Sequence, residues 1–156
     1  MDSLIFEAPS NSLSFGNVSL NLLREMYKKK LKVAFFPIGG DLDLGAYDSL
    51  EEDFSKWIKS SFNSRFSLLK KDVPTLKLWH LNGSHIRIGS KQTLYTFYEA
   101  SSPTPEELNI ANFQDHVVFS SSYASEIFSK AGVENCTSVP CGFDPDFKKT
   151  NKTYLA

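Results

Sequence analysis

The sequence predicts an α/β domain whose doubly wound, mostly parallel sheet lies between layers of helices. Three observations predict it. Short apolar runs alternate with amphipathic stretches along the chain, about six strand-like segments against four helix-like ones. The first strand, helix and strand fit within about 35 residues, the length of a βαβ unit, which implies a parallel pair joined by a right-handed crossover. The composition is that of a globular protein: 156 residues, 41% hydrophobic, 22% charged and 13% aromatic, with 13 Phe. That supplies a core and excludes disordered, collagen-like and repeat-array chains.

Leu4–Ala8 is a short apolar run and reads as a strand. Pro9–Phe15 is rich in Ser and Asn and reads as a loop. Gly16 opens a helical pattern with Val18, Leu22, Leu23, Met26 and Tyr27 on one face. Lys28, Lys29 and Lys30 close it, where cations meet the negative end of the helix dipole. They read as a solvated helix end, with an anion site as the alternative. Lys32–Phe36 is a second buried strand, stopped by Pro37 and Gly39-Gly40.

Asp41–Tyr47 is a polar loop. In Ser49-Leu50-Glu51-Glu52 the Ser hydroxyl can accept from the amide three residues on while the Glu reaches back, a capping box. Leu50, Phe54, Trp57, Ile58 and Phe62 then mark an apolar helix face. Val73-Pro74 breaks the chain, Thr75–Leu81 alternates at period two as a strand does, and Asn82-Gly83-Ser84 is a turn.

Thr93–Tyr98, aromatic and β-branched, reads as a strand with Glu99 at its carboxyl end. Thr104-Pro105-Glu106-Glu107 combines a cap, a Pro at the first helical position and a reaching Glu, so a helix starts there. His116–Phe119 is a buried strand. Ser121-Ser122 caps a helix carrying Ile127, Phe128 and Ala131, with Lys130 in its last turn and Gly132 beyond its end. Thr137–Val139 is a last short strand, Pro140–Asp146 a loop, and 148–156 a polar tail on a domain spanning 1–147.

A net charge of −1 and a pI of about 6.3 argue against a broad phosphate-binding surface, so no nucleic acid partner is expected. No apolar run approaches the roughly 20 residues that span a bilayer. The first residues carry no basic segment and do not read as a signal peptide, so a cytoplasmic location is expected. Cys136 and Cys141, spaced C-x4-C without a second pair for zinc, then read as reduced thiols. Sequons at Asn17, Asn82, Asn135 and Asn151 carry no weight in such a chain.

In doubly wound sheets ligands bind beyond the carboxyl ends of the strands. This rule selects the loop Pro9–Asn17, His80 with Asn82, Glu99 with the segment after it, Ser120–Ser122, and Gly142 to Asp144. Gly16 at a helix start offers free amides and a positive dipole, or simply lets the chain pack closely. It belongs to neither a G-x-G-x-x-G fingerprint nor a Walker loop. Glu99 can serve as a general base or hold a sugar hydroxyl; a loop-stabilising acid is the plain alternative. His80 can be a base or a ligand, or a hydrogen-bonded half-buried imidazole. His85 and His116 carry less signal. Asp41-Leu42-Asp43 has the D-x-D spacing of some metal sites, but two Asp in a glycine-bounded loop suit plain turn chemistry. No G-x-S-x-G or H-E-x-x-H is present.

Taken in order, several segments carry a family resemblance. Leu4-Ile5-Phe6-Glu7-Ala8-Pro9, with Phe15-Gly16-Asn17-Val18-Ser19 and the helix after it, resembles the opening of sugar-nucleotide-dependent GT-B glycosyltransferases, specifically the group 1, family-4-like amino-terminal Rossmann-like domain. Leu94-Tyr95-Thr96-Phe97-Tyr98-Glu99 followed by Pro105-Glu106-Glu107-Leu108-Asn109 resembles that group's strand, acid and helix. Val117-Val118-Phe119-Ser120-Ser121-Ser122-Tyr123, with Ile127-Phe128 and Ala131-Gly132-Val133, resembles its strand–Ser–helix–Gly-Val stretch. Val139-Pro140-Cys141-Gly142-Phe143-Asp144 resembles the Val-Pro-x-Gly-[Phe/Val]-Asp that closes the amino-terminal half, with Cys141 where Asn or His is usual.

The resemblance implies a hexosyltransferase-type domain on the acceptor side of a glycosyl transfer site. A sugar or glycan acceptor is its partner, and the nucleotide-sugar donor binds only with a second domain. Glu99 and His80 would act on acceptor hydroxyls, one as base. Phe15, Gly16, Asn17, Asn82, Ser121, Gly142 and Asp144 would line the cleft, Gly16 and Asn17 near the donor phosphates. No metal or other cofactor is implied. No E-x7-E pair of the donor half follows Asp144. The domain is therefore expected to be inactive alone, because transfer needs both reactants fixed in register. A separate donor-domain subunit, or a homodimer through Phe143, Phe147 and the loop around Phe15, would cover the face it lacks. The alternative is a non-catalytic interaction module on the same fold. A receiver-like signalling domain is disfavoured, since Glu7, His80 and Ser120 stand where its acidic and Lys residues should be.

Overall fold

Apolar runs become strands and amphipathic stretches become helices in the computed structural model, which describes residues 3–45, 50–70 and 72–142. In chain order these are β1 (Ser3–Pro9), α1 (Ser14–Lys28), β2 (Lys32–Ile38), α2 (Glu52–Asn63), a 3₁₀ turn (Arg65–Leu68), β3 (Thr75–Leu78), β4 (Gln92–Thr96), α3 (Pro105–Phe113), β5 (His116–Phe119), α4 (Ser122–Lys130) and β6 (Cys136–Ser138). The strands form one sheet in the order β2-β1-β3-β4-β5-β6. Every pairing is parallel. The fold is thus the Rossmann-like α/β domain that the alternation predicts.

Register sorts the side chains. Phe6 stands beside Phe35 and Leu76, and Leu78 beside Tyr95, on the sheet face that receives Leu20, Leu23 and Met26 of α1. Leu94, Val117 and Phe119 point the other way, into a second core with Ile110 of α3 and Ala124 and Phe128 of α4. Parallel strands need both faces covered, and this chain covers them diagonally. α2 flanks β2 and touches α1 through Tyr27, whose ring lies 5.4 Å from Phe54 and 5.5 Å from Trp57.

The capping box at Thr104 forms as expected: its hydroxyl accepts from the Glu107 amide and Glu107 accepts from the Thr104 amide. Ser121 caps α4 by accepting from the Ala124 amide at 3.2 Å. Gly132, at φ +93°, follows the end of α4 in a conformation that suits glycine.

Five boundaries depart clearly from expectation. β2 does not stop at Pro37 but runs to Ile38; it is an edge strand, where the missing proline N–H costs no ladder bond. α1 begins at Ser14, so Ser14 and Phe15 are helical rather than loop. α2 begins at Glu52, with Glu51 at the cap and no side-chain cap bond, later than the helix start anticipated near Ser49; the capping box anticipated at Ser49 lies outside the described residues. β3 and β4 end at Leu78 and Thr96, ahead of Leu81 and Tyr98. Among the described residues no helix is long and apolar enough to cross a membrane.

Candidate functional site

The chain leaves β1 toward β2 on one side, then returns past β1 to β3 on the other. The β1/β3 boundary is therefore the point where strand order reverses, and crevices form beyond the carboxyl ends of strands at such a point. A cleft of about 800 Å³ opens there, lined by Ser14, Phe15, Val18, Trp79, His80, Leu81, Asn82, Phe97, Tyr98, Glu99, Ala100 and Glu107.

Its wall is aromatic because three elements deliver rings to one place. Phe15, in the first turn of α1, lies 4.6 Å from the His80 ring, 5.1 Å from Phe97 and 5.9 Å from Trp79. Trp79 and His80 are 5.2 Å apart, edge to face. Tyr98 stands edge-on to Phe128 at 4.8 Å, so the second core holds it from behind. Burial, and then the neighbouring Glu107 carboxylate, push the Tyr98 hydroxyl above its ordinary pKa.

The polar groups sit at the rim. Glu99 and Asn82 are exposed, and neither side chain has a hydrogen-bond or ionic partner among the described residues. Both are free to meet a ligand. The exposed His80 ring is held by its ring contacts alone, while its backbone carbonyl accepts from Ser84 Oγ at 2.5 Å. Glu107 is committed to the cap of α3 through one carboxylate oxygen. The arrangement offers flat apolar faces for a ring's C–H surface, an amide and an imidazole for its hydroxyls, and one free carboxylate able to take a proton.

The cleft therefore gathers Phe15, His80, Asn82 and Glu99. Other candidate residues lie elsewhere. Gly16 is buried, and a Cβ there would stand 1.8 Å from the Asn11 carbonyl oxygen, so this glycine serves the close approach of α1 to its preceding loop. Asn17 is exposed, its side-chain amide donating to the Ser12 carbonyl at 3.4 Å. Ser121 is taken up as a helix cap. Asp144, Phe143 and Phe147 lie outside the described residues. Among the cleft's rings, Trp79, Phe97 and Tyr98 are those that strand-end reasoning missed.

Gly142 lines a different hollow, of about 480 Å³, on the α1 face. There Val18 and Leu22 of α1 face Leu76, Tyr95 and Val118 across a strip of sheet that no helix covers among the described residues. The Tyr95 hydroxyl donates to the Val139 carbonyl at 3.0 Å and lies 3.2 Å from Cys141 Sγ; burial and then that thiol raise its pKa. Asp43 performs turn chemistry, its carboxylate accepting from the Gly45 amide at 3.0 Å. His116 bonds Thr137 across β5 and β6 at 2.8 Å. Among the described residues no cluster of His, Cys, Asp and Glu is set to hold a metal ion, and both cysteines are free thiols.

Comparison of the chain with models of known protein families gives no match, and comparisons with characterised proteins and with solved structures give none either.

Proposed function

We propose that this domain forms the acceptor-binding side of a GT-B-type glycosyl transfer site, with the nucleotide-sugar held by a second domain. The observation that carries the reading is the strand-end cleft, where Phe15, Trp79, Phe97 and Tyr98 present rings beside the unpartnered Glu99 and Asn82. Aromatic faces pack against the apolar C–H side of a sugar, and amide and carboxylate rims bond its hydroxyls. Glu99 is the proposed base toward the acceptor hydroxyl, with His80 positioning it. On this reading catalysis needs a second domain to bring the donor to the acceptor in register.

The test is titration of the 156-residue chain with oligosaccharides and with nucleotide-sugars, followed by the indole resonance of Trp79 and by calorimetry. Saccharides should shift Trp79, and a Phe15→Ala variant should lose the response. Nucleotide-sugars should bind no tighter than millimolar; micromolar binding by this chain alone would show a complete donor site and refute the half-site reading.

The apolar hollow on the α1 face favours a second reading, a non-catalytic interaction module on the same fold. It requires a stable complex that hides the strand-end loops, which light scattering and cleft titration together would detect.

A further inference from the structure

The chemistry of the cleft goes further than sugar recognition. Among the described residues its lining carries two carboxylates, Glu99 and Glu107, one imidazole, His80, and no Lys or Arg. The segments that build it share this bias. The chain holds 17 Lys and Arg, yet none falls within 9–23, 78–86 or 92–108, whereas Glu99, Glu106 and Glu107 fall in the last of these. Lys77, the basic residue nearest β3's end in sequence, is 4% exposed and engaged by Glu7 and the Ile86 carbonyl.

A site for a phosphorylated or carboxylated ligand needs cations or free helix amides. Here the first turn of α1 turns the Phe15 ring toward the cleft, and its amide end is packed against Asn11 through Gly16. Phe15, Trp79, Phe97 and Tyr98 within one cavity, with carboxylates at its edge, make instead the environment that attracts a cation: their ring faces carry negative quadrupole charge, and the acids add full charge.

We propose that the ligand of this cleft is an amino sugar, a saccharide carrying a protonated amine, with its ring against Phe15 and Trp79 and its ammonium directed to Glu99. The inference rests on the acceptor-site reading and narrows it: neutral sugars bind more weakly, and sugar phosphates are repelled.

Glucosamine trisaccharide and cellotriose, the neutral β-1,4-linked trisaccharide with a hydroxyl where each amine stands, separate the two ideas. Both are titrated into the full chain at neutral pH and low salt, reading the Trp79 indole. The amine form should bind about fivefold or more tighter, a gap in keeping with a cation–π contact plus one exposed ion pair. Raising the salt concentration should narrow the gap. Glu99→Gln should narrow it as well, and this exposed, unpartnered position tolerates the change in the fold. Equal affinities would overturn the amine preference and leave saccharide recognition standing. Binding of neither form would overturn both. Tighter binding of glucosamine 6-phosphate than of glucosamine would overturn the acidic character assigned to the site.

Discussion

Two polar clusters lie on the same face of the sheet, and they solve burial differently. At the sheet's centre, Glu7 of β1 and Lys77 of β3 stand in register and form an ion pair at 3.0 Å, with side chains 13% and 4% exposed. Lys77 also donates to the Ile86 carbonyl at 2.9 Å, while Glu7 Oε2 has no partner. One pairing further on, under β4, the cluster is neutral. Gln92 donates to the Ser84 carbonyl at 3.0 Å and to Gln114 Oε1 at 2.7 Å, and Gln114 donates to the carbonyls of Ser84 and Ile110. The amide cluster ties loop, strand and α3 together without burying a charge, although Gln92 Oε1, like Glu7 Oε2, has no hydrogen-bond partner among the described residues. The ion pair places two charges where desolvation nearly cancels their attraction. It stands beneath the strand ends that open into the cleft, so the region proposed to bind ligand is the more strained in charge and the neighbouring region is the firmer scaffold.

Removing one partner of the ion pair should produce the largest effect. Lys77→Met strands a buried carboxylate and should cost about 3–5 kcal/mol in denaturant unfolding at neutral pH. The loss should shrink as acid protonates Glu7. The double variant Glu7→Gln, Lys77→Met should recover most of it; a double variant as unstable as the single would show that Lys77 acts through packing instead.

The amide cluster should respond less. Gln114→Ala removes two donated bonds and one acceptor for Gln92, leaving neutral groups only, and should cost about 1–3 kcal/mol. A loss equal to that of Lys77→Met would erase the distinction between the two regions.

Much of this architecture is legible in the sequence. Strand–helix alternation and the caps at Thr104 and Ser121 are local features, and they form as the residues predict. The strand-end rule needs only approximate strand positions, which is why it reaches Phe15, His80, Asn82 and Glu99. Trp79, Phe97 and Tyr98 escape it because aromatic residues extend the strand pattern past the real ends. Those ends are set by neighbours: Thr96 is in register with Phe119, the last residue of β5, and β3 stops at Leu78 opposite Tyr95. Pairing across distant segments decides such a boundary, and local pattern does not carry it. The Glu7–Lys77 pair is hidden for the same reason, since only register brings residues so far apart in the chain side by side.

The smallest expected effect is the most diagnostic, because the two regions should titrate with opposite sign. Burial raises the Glu7 carboxyl above its ordinary 4.5, outweighing the attraction of Lys77. A raised acid stabilises the fold below the unfolded value and loses that contribution as pH rises through the folded one, so lowering the pH from neutral toward 4.5 should strengthen the central region. Asp115, beside the amide cluster, behaves conversely. The Gln92 amide donates to it at 2.7 Å and Arg87 pairs with it, which holds it below its ordinary 3.8. Its contribution is present above that value and disappears as pH falls through the lowered one. Unfolding curves taken across acid pH should therefore show Glu7→Gln flattening the slope above 4.5 and Asp115→Asn flattening the slope below 3.8. If both variants flatten the same limb, the centre and the amide flank are one electrostatic unit, and the contrast between them fails.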